Sequence, residues 1–349
     1  MYGLTFIFFN SDESRVKKDL HLNRKRHTFV TIRPATLLIR TAQTGGLYCF
    51  YSLMQFTKPP LSINDQITLL RQRGLQIPDI PKAIHYLSNI SYYRFKVYTY
   101  PFQDNTYPNF SFVSGTTFDQ ILDLYLFDKS LRGLVFDALQ EIEVALRTQI
   151  TNHFAFTYGS HWYQDPNLYQ NARHFNRDMN TFDKEINRST DTFILNYKRT
   201  YTQPTNPPVW MTFEIISLGL LSKIYENLRN SPEKNQVARH FGLPVVVLIS
   251  WMHMFNYVRN LCAHHSRLWN RQIVHAPRLP RRPHRQWLNQ SPSSPYTPYV
   301  TLSAILYMLN AIDPQHKWKQ DLKNLISNSN ISLSDMGFPQ NWTTEPLWV

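Results

Sequence analysis

Residues 131–150, LRGLVFDALQEIEVALRTQI, decide the fold class of this chain. Their apolar residues recur three or four positions apart, which is the spacing of one face of an α-helix. The pattern continues in both directions and predicts a long helix from Thr117 to about Phe156 that buries one side. Because strand-like alternation is short and rare in the rest of the chain, the sequence predicts an all-α fold. The apolar positions of the helix are Leu131, Leu134, Val135, Ala138, Leu139, Ile142, Ala145, Leu146 and Ile150.

Capping residues, prolines and apolar spacing predict further helices on both sides of this one. Ser62 can cap a helix over 63–74, and Pro244 suits the first turn of a helix that runs through Val258. The other helices are predicted over 82–90, 181–199, 210–230, 300–312 and 317–328. Residues 159–180 and 278–298 are predicted as loops, and the second of these is rich in Pro, Arg and Ser.

The composition predicts a folded protein with an anionic partner. The chain has 349 residues, a formal net charge of +13 and an isoelectric point near 9.6, which favour nucleic acid first and a membrane surface second. Neither a P-loop nor a dinucleotide-binding glycine motif is present. Cys49 and Cys262 are too few for a disulfide framework or a Cys-based zinc site. We expect a cytoplasmic protein without a cofactor, metal or membrane partner.

Changes in composition divide the chain into four segments. Residues 1–53 carry eight Lys and Arg against three acids and lack sustained patterning, so they are predicted to be a basic extension. Met54 is then the natural start, or the extension is a loosely attached arm. Residues 54–115 form a helical and aromatic-basic segment, 116–328 the main helical domain, and 329–349 a C-terminal tail.

A motif for RNA chemistry stands at the end of a long apolar run, and it reads RNLCAHH over residues 259–265. The surrounding window, Lys234 to Ile312, holds nine Lys and Arg and no Asp or Glu. A His side chain can transfer a proton, and an Arg side chain can bind phosphate and stabilise its negative charge. The window therefore predicts a site that cleaves RNA without a metal ion.

Two other groups of residues are candidates for the site. The run from Tyr92 to Tyr100 mixes tyrosines with cations, which suits base stacking and phosphate pairing but also ordinary packing between helices. Glu143 and Arg147, four positions apart on the long helix, form either a surface ion pair or a support for the basic site. The residues predicted to bind RNA are Tyr92, Tyr93, Arg94, Lys96, Arg267, Arg271, Arg278, Arg281, Arg282 and Arg285.

The motif also carries a family resemblance. Arg259-Asn260 followed by His264 resembles the Arg-polar-x(3–5)-His motif of HEPN ribonucleases, and residues 259–271 resemble the signature of the abortive-infection AbiD/AbiF-like family. Residues 58–62, 141–147 and 217–222 resemble that family in the same order, and the resemblance runs from about Met54 to Asn328. It implies a HEPN-type helical bundle with additional helices and a basic Pro/Arg-rich loop, together with metal-independent RNA cleavage and a role in phage defence.

The resemblance also implies roles for single residues. Arg259 would bind the scissile phosphate, Asn260 would orient the phosphate or the histidine, and His264 would act as general acid or base. His265 falls within the permitted spacing as well, so either histidine can be the catalytic one. Two copies of the chain in a homodimer would bring two Arg and two His into one groove.

Three functions compete on these residues. The leading one is a ribonuclease toxin, of the abortive-infection or toxin–antitoxin kind, that is bound and controlled by a small structured noncoding RNA. The second is a non-catalytic RNA-binding protein with a vestigial or masked HEPN site. A metal-dependent nuclease is poorly supported, because no carboxylate lies near the two histidines in the sequence.

Overall fold

The computed structural model describes residues 36–40, 47–51, 58–104 and 110–349. The chain divides into two compact units, Met1–Leu61 and Ser62–Val349. The predicted natural start at Met54 lies outside the described residues, as does most of the basic extension. The described part of the first unit is an antiparallel hairpin of β1 (Thr36–Arg40) and β2 (Leu47–Tyr51).

This hairpin corrects the sequence prediction, which assigns no element to the basic extension. Leu38 pairs with Cys49 at the middle of the register. The runs TLLIR and LYCFY are rich in residues that favour strands, and the sequence between them contains Gly45-Gly46. The signal is present but spans only two five-residue runs, too short to register as sustained alternation.

The second unit is helical, and the all-α prediction is confirmed for its described residues. Twelve α-helices follow one another along 58–104 and 110–349. They are α1 (Ile63–Gln72), α2 (Ile80–Ile90), α3 (Tyr92–Thr99), α4 (Phe118–Tyr158), α5 (Ala172–Arg188), α6 (Thr192–Thr200), α7 (Val209–Thr212), α8 (Leu218–Asn227), α9 (Pro232–His240), α10 (Val245–Ala263), α11 (Pro298–Ile312) and α12 (Trp318–Ser327).

The long helix α4 forms the centre of this unit. It starts at a capping box, in which the Thr117 side chain accepts the Gln120 N–H and the Gln120 side chain accepts the Thr117 N–H. Helices α3, α9, α10, α11 and α12 all pack against α4. Leu131, Leu139 and Ile142 are completely buried. The helix predicted over Thr117 to about Phe156 is therefore confirmed, and it positions the other helices.

Two helical boundaries differ from the prediction, and a capping side chain inside the predicted loop explains the first. Asn171 accepts the N–H of His174 at 3.1 Å and starts α5 within the predicted loop over 159–180. The single helix predicted over 181–199 is divided between α5 and α6. Helix α5 has one apolar face, and Phe182 and Ile186 are buried on it.

The segment around Pro232 also differs from the prediction. The helix predicted over 210–230 is two helices, since the Ser217 side chain accepts the Leu220 N–H at 3.2 Å and starts α8 anew. No helix is predicted directly after residue 230, yet Pro232 begins α9, after the Ser231 cap. Proline suits a first helical turn because its missing N–H has no partner there in any case.

Residues 329–349, predicted as a separate tail, pack into the helical unit. Trp348 is completely buried, and its indole N–H donates to the Ser303 hydroxyl at 3.2 Å. Glu345 accepts the N–H of Asn289 at 2.6 Å and that of Gln290 at 3.3 Å. The apolar residues that pack here are Met336, Phe338, Trp342 and Leu347, too few and too scattered to form a helical pattern.

Candidate functional site

The RNLCAHH motif lies at the carboxyl end of α10. Arg259 and Asn260 are in the last turn of the helix, and His264 is the first residue beyond it. The His264 N–H donates to the Asn260 carbonyl at 3.0 Å. His265 then adopts the left-handed conformation, with φ of 56°. The predicted helix into the motif is confirmed, and it ends between the arginine and the two histidines.

A Schellman arrangement closes this helix end. The His265 N–H donates to the backbone carbonyl of Cys262 at 3.0 Å, and the Ser266 N–H donates to that of Leu261 at 2.9 Å. Glycine is the usual left-handed residue here, because a Cβ in this conformation costs about 1–2 kcal/mol. The guanidinium of Arg94, on α3, donates to the His265 carbonyl. A residue 171 positions away therefore holds the strained turn in place.

A buried carboxylate holds the chain that follows the turn. Asp128, on α4, is completely buried, and its Oδ1 accepts the N–H of Leu268 at 3.0 Å and of Trp269 at 2.6 Å. Its Oδ2 accepts the Tyr98 hydroxyl at 2.6 Å and the Arg132 guanidinium. Four donors offset the penalty of burying this carboxylate. Asp128 thus joins α3, α4 and the loop after the motif.

Burial and charge shift the pKa values of the groups around Asp128. Burial raises the pKa of Tyr98, and the Asp128 carboxylate raises it further, so the hydroxyl remains a donor. Burial alone would lower the pKa of Arg132, but Asp128 and Tyr98 outweigh it and the pKa is raised. Burial raises the pKa of the Cys262 thiol to about 12. Tyr98, Arg132 and Cys262 therefore stay protonated through the neutral range.

The four motif side chains are available to a ligand. Within residues 58–104 and 110–349, those of Arg259, Asn260, His264 and His265 have no hydrogen-bond or ion-pair partner. The Arg259 guanidinium lies 5.6 Å from the ring centroid of Phe136, a cation–π contact that orients the charge without neutralising it. An anion at this helix end would meet a guanidinium beside two exposed imidazoles.

Arg267 and Arg271 are less exposed than the other predicted RNA ligands. The Arg267 guanidinium lies 5.8 Å from the Trp269 ring centroid, and burial lowers its pKa despite the charge of Asp128. Arg271 donates to the Tyr257 hydroxyl at 3.2 Å and to the Arg267 carbonyl at 3.3 Å. Both side chains are half-buried, and Arg271 holds the loop against α10, so the role of the two arginines in RNA binding stays a prediction.

The aromatic-basic run forms α3, and its residues divide between the two predicted uses. Phe95 and Tyr98 are completely buried. Tyr92 is half-buried, and burial raises its pKa. Tyr93 is 83% exposed, and Lys96 is exposed as well. Packing between helices therefore accounts for the inward residues of this run, whereas the outward residues face solvent.

Glu143 and Arg147 form a buried ion pair, so the prediction of a surface pair is wrong. Their side chains are 15% and 8% exposed, and Arg147 Nη2 lies 2.5 Å from Glu143 Oε1. Arg147 also donates to the Ile216 carbonyl at 3.0 Å, which ties α4 to the segment before α8. The single apolar stripe of α4 did not reveal that neighbouring helices cover this face too.

The four loop arginines lie toward the opposite end of α10 from the histidines. Arg278 donates its N–H to the Ser250 hydroxyl at 2.8 Å, and Arg285 donates to the His240 carbonyl at 3.5 Å. At 1.5 Å per residue, about 20 to 25 Å of helix separates this end from His264. The exposed side chains of this group are Arg278, Arg281, Arg282 and Arg285.

Two adjoining grooves lie beside these arginines. The first has a volume of about 760 Å³, and the second, of about 530 Å³, shares Val246 and Arg278 with it. The second also contains Glu226 and His253, whose side chains approach to 3.2 Å. The fold thus brings one acid from α8 to a window that is free of acids in the sequence. The first groove is lined by Pro244, Val246, Val247, Arg278, Leu279, Arg281 and Arg282.

Lys234 is the first cation of the acid-free window, and it is structural. It is 3% exposed, and its Nζ donates to the carbonyls of Glu226 at 3.0 Å and Leu228 at 2.5 Å, at the end of α8. Burial lowers its pKa to about 8. Lys234 therefore caps a helix and contributes little to the attraction of a polyanion.

The cluster of Asp128, Tyr98 and Arg132 was not predicted from the sequence. Asp128 and Arg132 are four positions apart on an apolar helix, the same spacing that identified Glu143 and Arg147. This spacing is the one local signal for the cluster. The bonds from Asp128 to Leu268 and Trp269 join residues 140 and 141 positions apart, and no local pattern predicts them.

The described residues contain neither a cluster of metal ligands nor a helix that could cross a membrane by itself. No group of three or more His, Cys, Asp or Glu side chains in residues 36–40, 47–51, 58–104 and 110–349 is placed to hold a metal ion. In the same residues, no single helix is long and apolar enough to cross a membrane. Helices α9 and α10 taken together have the length and apolar composition of a membrane span, but the chain bends by 63° between them.

The chain matches one family of proteins over most of the site. The sequence model of the Abi-like protein family matches residues 85–270, more than half of the chain. This range contains α3, Asp128 and the whole RNLCAHH motif, and it ends before the loop arginines. It is narrower at both ends than the resemblance over about 54–328. Comparison with curated proteins and with solved structures gives no match. The chain belongs to the Abi-like protein family.

Proposed function

We propose that this chain is a HEPN-type endoribonuclease toxin of abortive infection that acts in the cytoplasm without a metal ion. Membership of the Abi-like family indicates a role in abortive infection. The observation that supports RNA cleavage is the set of unpartnered side chains, Arg259, Asn260, His264 and His265, at one rigid helix end. Buried Asp128 holds the loop beside them, so the site is organised before RNA binds.

The proposed reaction is transfer of the phosphate to the neighbouring 2′-oxygen. The 2′-oxygen attacks phosphorus, the bond from phosphorus to the 5′-oxygen breaks, and the products are a 2′,3′-cyclic phosphate and a 5′-hydroxyl. His264 takes the proton from the 2′-hydroxyl or gives one to the leaving 5′-oxygen. Arg259 binds the phosphate and stabilises the charge that develops on it, and Asn260 orients the phosphate.

A homodimer would complete this chemistry. One histidine can take a proton while a second gives one, and two copies related by a twofold axis would supply both from the same position. His264 and His265 are exposed at the surface of the described chain, where a second copy can approach them.

Cleavage is expected to persist in EDTA, because Arg and His chemistry needs no divalent ion. The measurement is the digestion of labelled RNA by the purified chain in EDTA, with the product ends identified by mass spectrometry. The expected ends are 2′,3′-cyclic phosphate or 3′-phosphate, and 5′-hydroxyl. Loss of activity in EDTA that Mg²⁺ or Mn²⁺ restores would contradict the proposal and favour a metal-dependent nuclease.

We propose that the loop arginines hold a small structured noncoding RNA that controls the toxin. Arg278, Arg281 and Arg282 are exposed along one groove, and Arg285 is exposed beside it. A planar guanidinium suits phosphate contacts, and the backbone of a folded RNA offers many of them. The separation of this surface from His264 allows the partner RNA and the RNA that is cleaved to bind at different places.

Replacing the four loop arginines by alanine is expected to weaken binding of this partner RNA and to flatten its salt dependence. Each lost phosphate contact should reduce the slope of log affinity against log salt by about 0.7 to 0.9. The control replaces four exposed cations elsewhere, Arg173, Lys184, Arg199 and Lys223, and removes the same charge. Equal affinities and slopes for the two variants would show that the loop contributes only general charge.

The second candidate function is RNA binding with a silent site. The same charges serve both functions, so affinity for RNA does not separate them. A wild-type chain that binds RNA with high affinity and leaves it intact would favour the second function.

A further inference from the structure

The outer face of α3 adjoins the motif although the two are far apart in sequence. Arg94 donates to the carbonyl of His265, so α3 and the left-handed turn form one unit. Tyr98, one turn further along α3, bonds to Asp128, which also holds Leu268. A ligand bound at His265 therefore has α3 as a neighbouring helix.

This face combines an exposed aromatic ring with positive charge. Tyr93 is 83% exposed and Val97, four positions later on the same face, is 38% exposed. Soluble proteins normally place large side chains such as these in the core. Helix α3 carries Arg94 and Lys96 and has no acid in its sequence. Asp128 beneath it is completely buried and bonded to four donors, so it offers no exposed negative charge.

We propose that Tyr93 stacks on an unpaired base of a single-stranded RNA substrate next to the scissile phosphate, which deepens the proposed function and rests on it. Arg94, next to Tyr93 in α3, and Lys96, three positions after it, would pair with the adjoining phosphates. A base offers its face to a tyrosine ring only when it is not stacked within a duplex. This stacking platform, formed by Tyr93 with Arg94 and Lys96, therefore selects single-stranded segments. We assign α3 to the substrate and not to the structured partner RNA.

The test measures the affinity of a labelled single-stranded RNA of about 10 nucleotides in a His264→Ala background, so that cleavage cannot interfere. Tyr93→Ala is expected to weaken binding about 10-fold, the usual effect of losing one stacked base. Tyr93→Phe keeps the ring and should retain the affinity. Tyr201→Ala, at a tyrosine that is 55% exposed on another helix end, is the matched control and should have no effect.

The same RNA sequence as a duplex separates stacking from charge. Tyr93→Ala should leave duplex binding unchanged, because the duplex offers no free base face. Equal losses for duplex and single strand, or no loss for either, would overturn the proposal. A change from dimer to monomer in sedimentation, without a change in affinity for the single strand, would assign the face to a second copy of the chain and also overturn it.

These outcomes are independent of cleavage. If the wild-type chain does not cut RNA in EDTA, the proposed reaction is wrong. The ratio of RNA affinities between Tyr93→Ala and Tyr93→Phe still shows whether Tyr93 stacks on a base. If cleavage occurs and that ratio is one, the reaction stands and the platform is wrong. Thermal unfolding of Tyr93→Ala should match the wild type, since so little of this side chain is buried.

Discussion

Replacing His264 by alanine is expected to lower the rate of RNA cleavage by at least about 100-fold, the usual contribution of one general acid or base. Arg259→Ala should lower it by about 100- to 1000-fold, because a developing phosphate charge loses its donor. Neither side chain has a hydrogen-bond partner within residues 58–104 and 110–349, so the fold should survive both changes. RNA affinity should fall only slightly, since many other cations remain. The measurements are single-turnover cleavage and toxicity on expression.

His265→Gly is the matched variant for this prediction. Glycine relieves the left-handed strain at φ of 56°, so the variant should be at least as stable as the wild type. We expect it to keep most of its cleavage, which would assign the proton transfer to His264. Loss of cleavage in His265→Gly with retention in His264→Ala would assign it to His265. Retention of the wild-type cleavage rate in both variants and in Arg259→Ala would contradict the proposed site, because the cleavage would then not come from this motif.

Replacing Asp128 by alanine is expected to reduce the free energy of unfolding by about 3–5 kcal/mol, the usual effect of removing one partner of a buried ion pair. Arg132 would keep its charge at 6% exposure, and the N–H groups of Leu268 and Trp269 would lose their acceptor. The measurement is equilibrium unfolding in urea. Cleavage should also fall in conditions where the variant is still folded, because the loop beside the histidines loses its anchor.

Two further variants test the reason for this loss. Asp128→Asn keeps an oxygen that can accept both N–H groups but removes the charge that balances Arg132, so it should lose less stability than Asp128→Ala. The triple variant Tyr98→Phe, Asp128→Leu and Arg132→Met removes the buried charges together. It should still be less stable than the wild type, because the two N–H groups remain without an acceptor. A wild-type stability for Asp128→Ala would contradict the anchoring role.

The sequence predicted those parts of the site that depend on neighbours in the chain. The apolar run before Arg259 identified the helix, and the spacing of Arg259, Asn260 and His264 placed the predicted site at the end of that helix. Ser62 and Thr117 marked helix starts through their own caps. These features depend on a few consecutive residues, which is why pattern and capping chemistry are sufficient for them.

The parts that the sequence did not predict depend on contacts between distant segments. The bond of Arg94 to the turn and the bonds of Asp128 to the loop arise only when α3, α4 and α10 pack together. The burial of Glu143 has the same origin, since charge and spacing look alike on a covered face and an exposed one. Helix α9 was not predicted for another reason. A proline can end one helix or begin the next, and its position alone does not distinguish the two.

The anchoring of the loop at Asp128 has a consequence for local stability. Loops are ordinarily the first parts of a folded protein to open, with opening free energies far below that of the whole. Here the backbone N–H groups of Leu268 and Trp269 donate to the carboxylate of Asp128, which is buried in the helical unit. Opening this loop would take two of the four donors from Asp128, the buried carboxylate that also bonds to Tyr98 on α3, so we expect the loop to belong to the same cooperative unit as the core. We therefore expect the proposed site to be controlled by molecules that bind to its surface, and not by fluctuation of the loop.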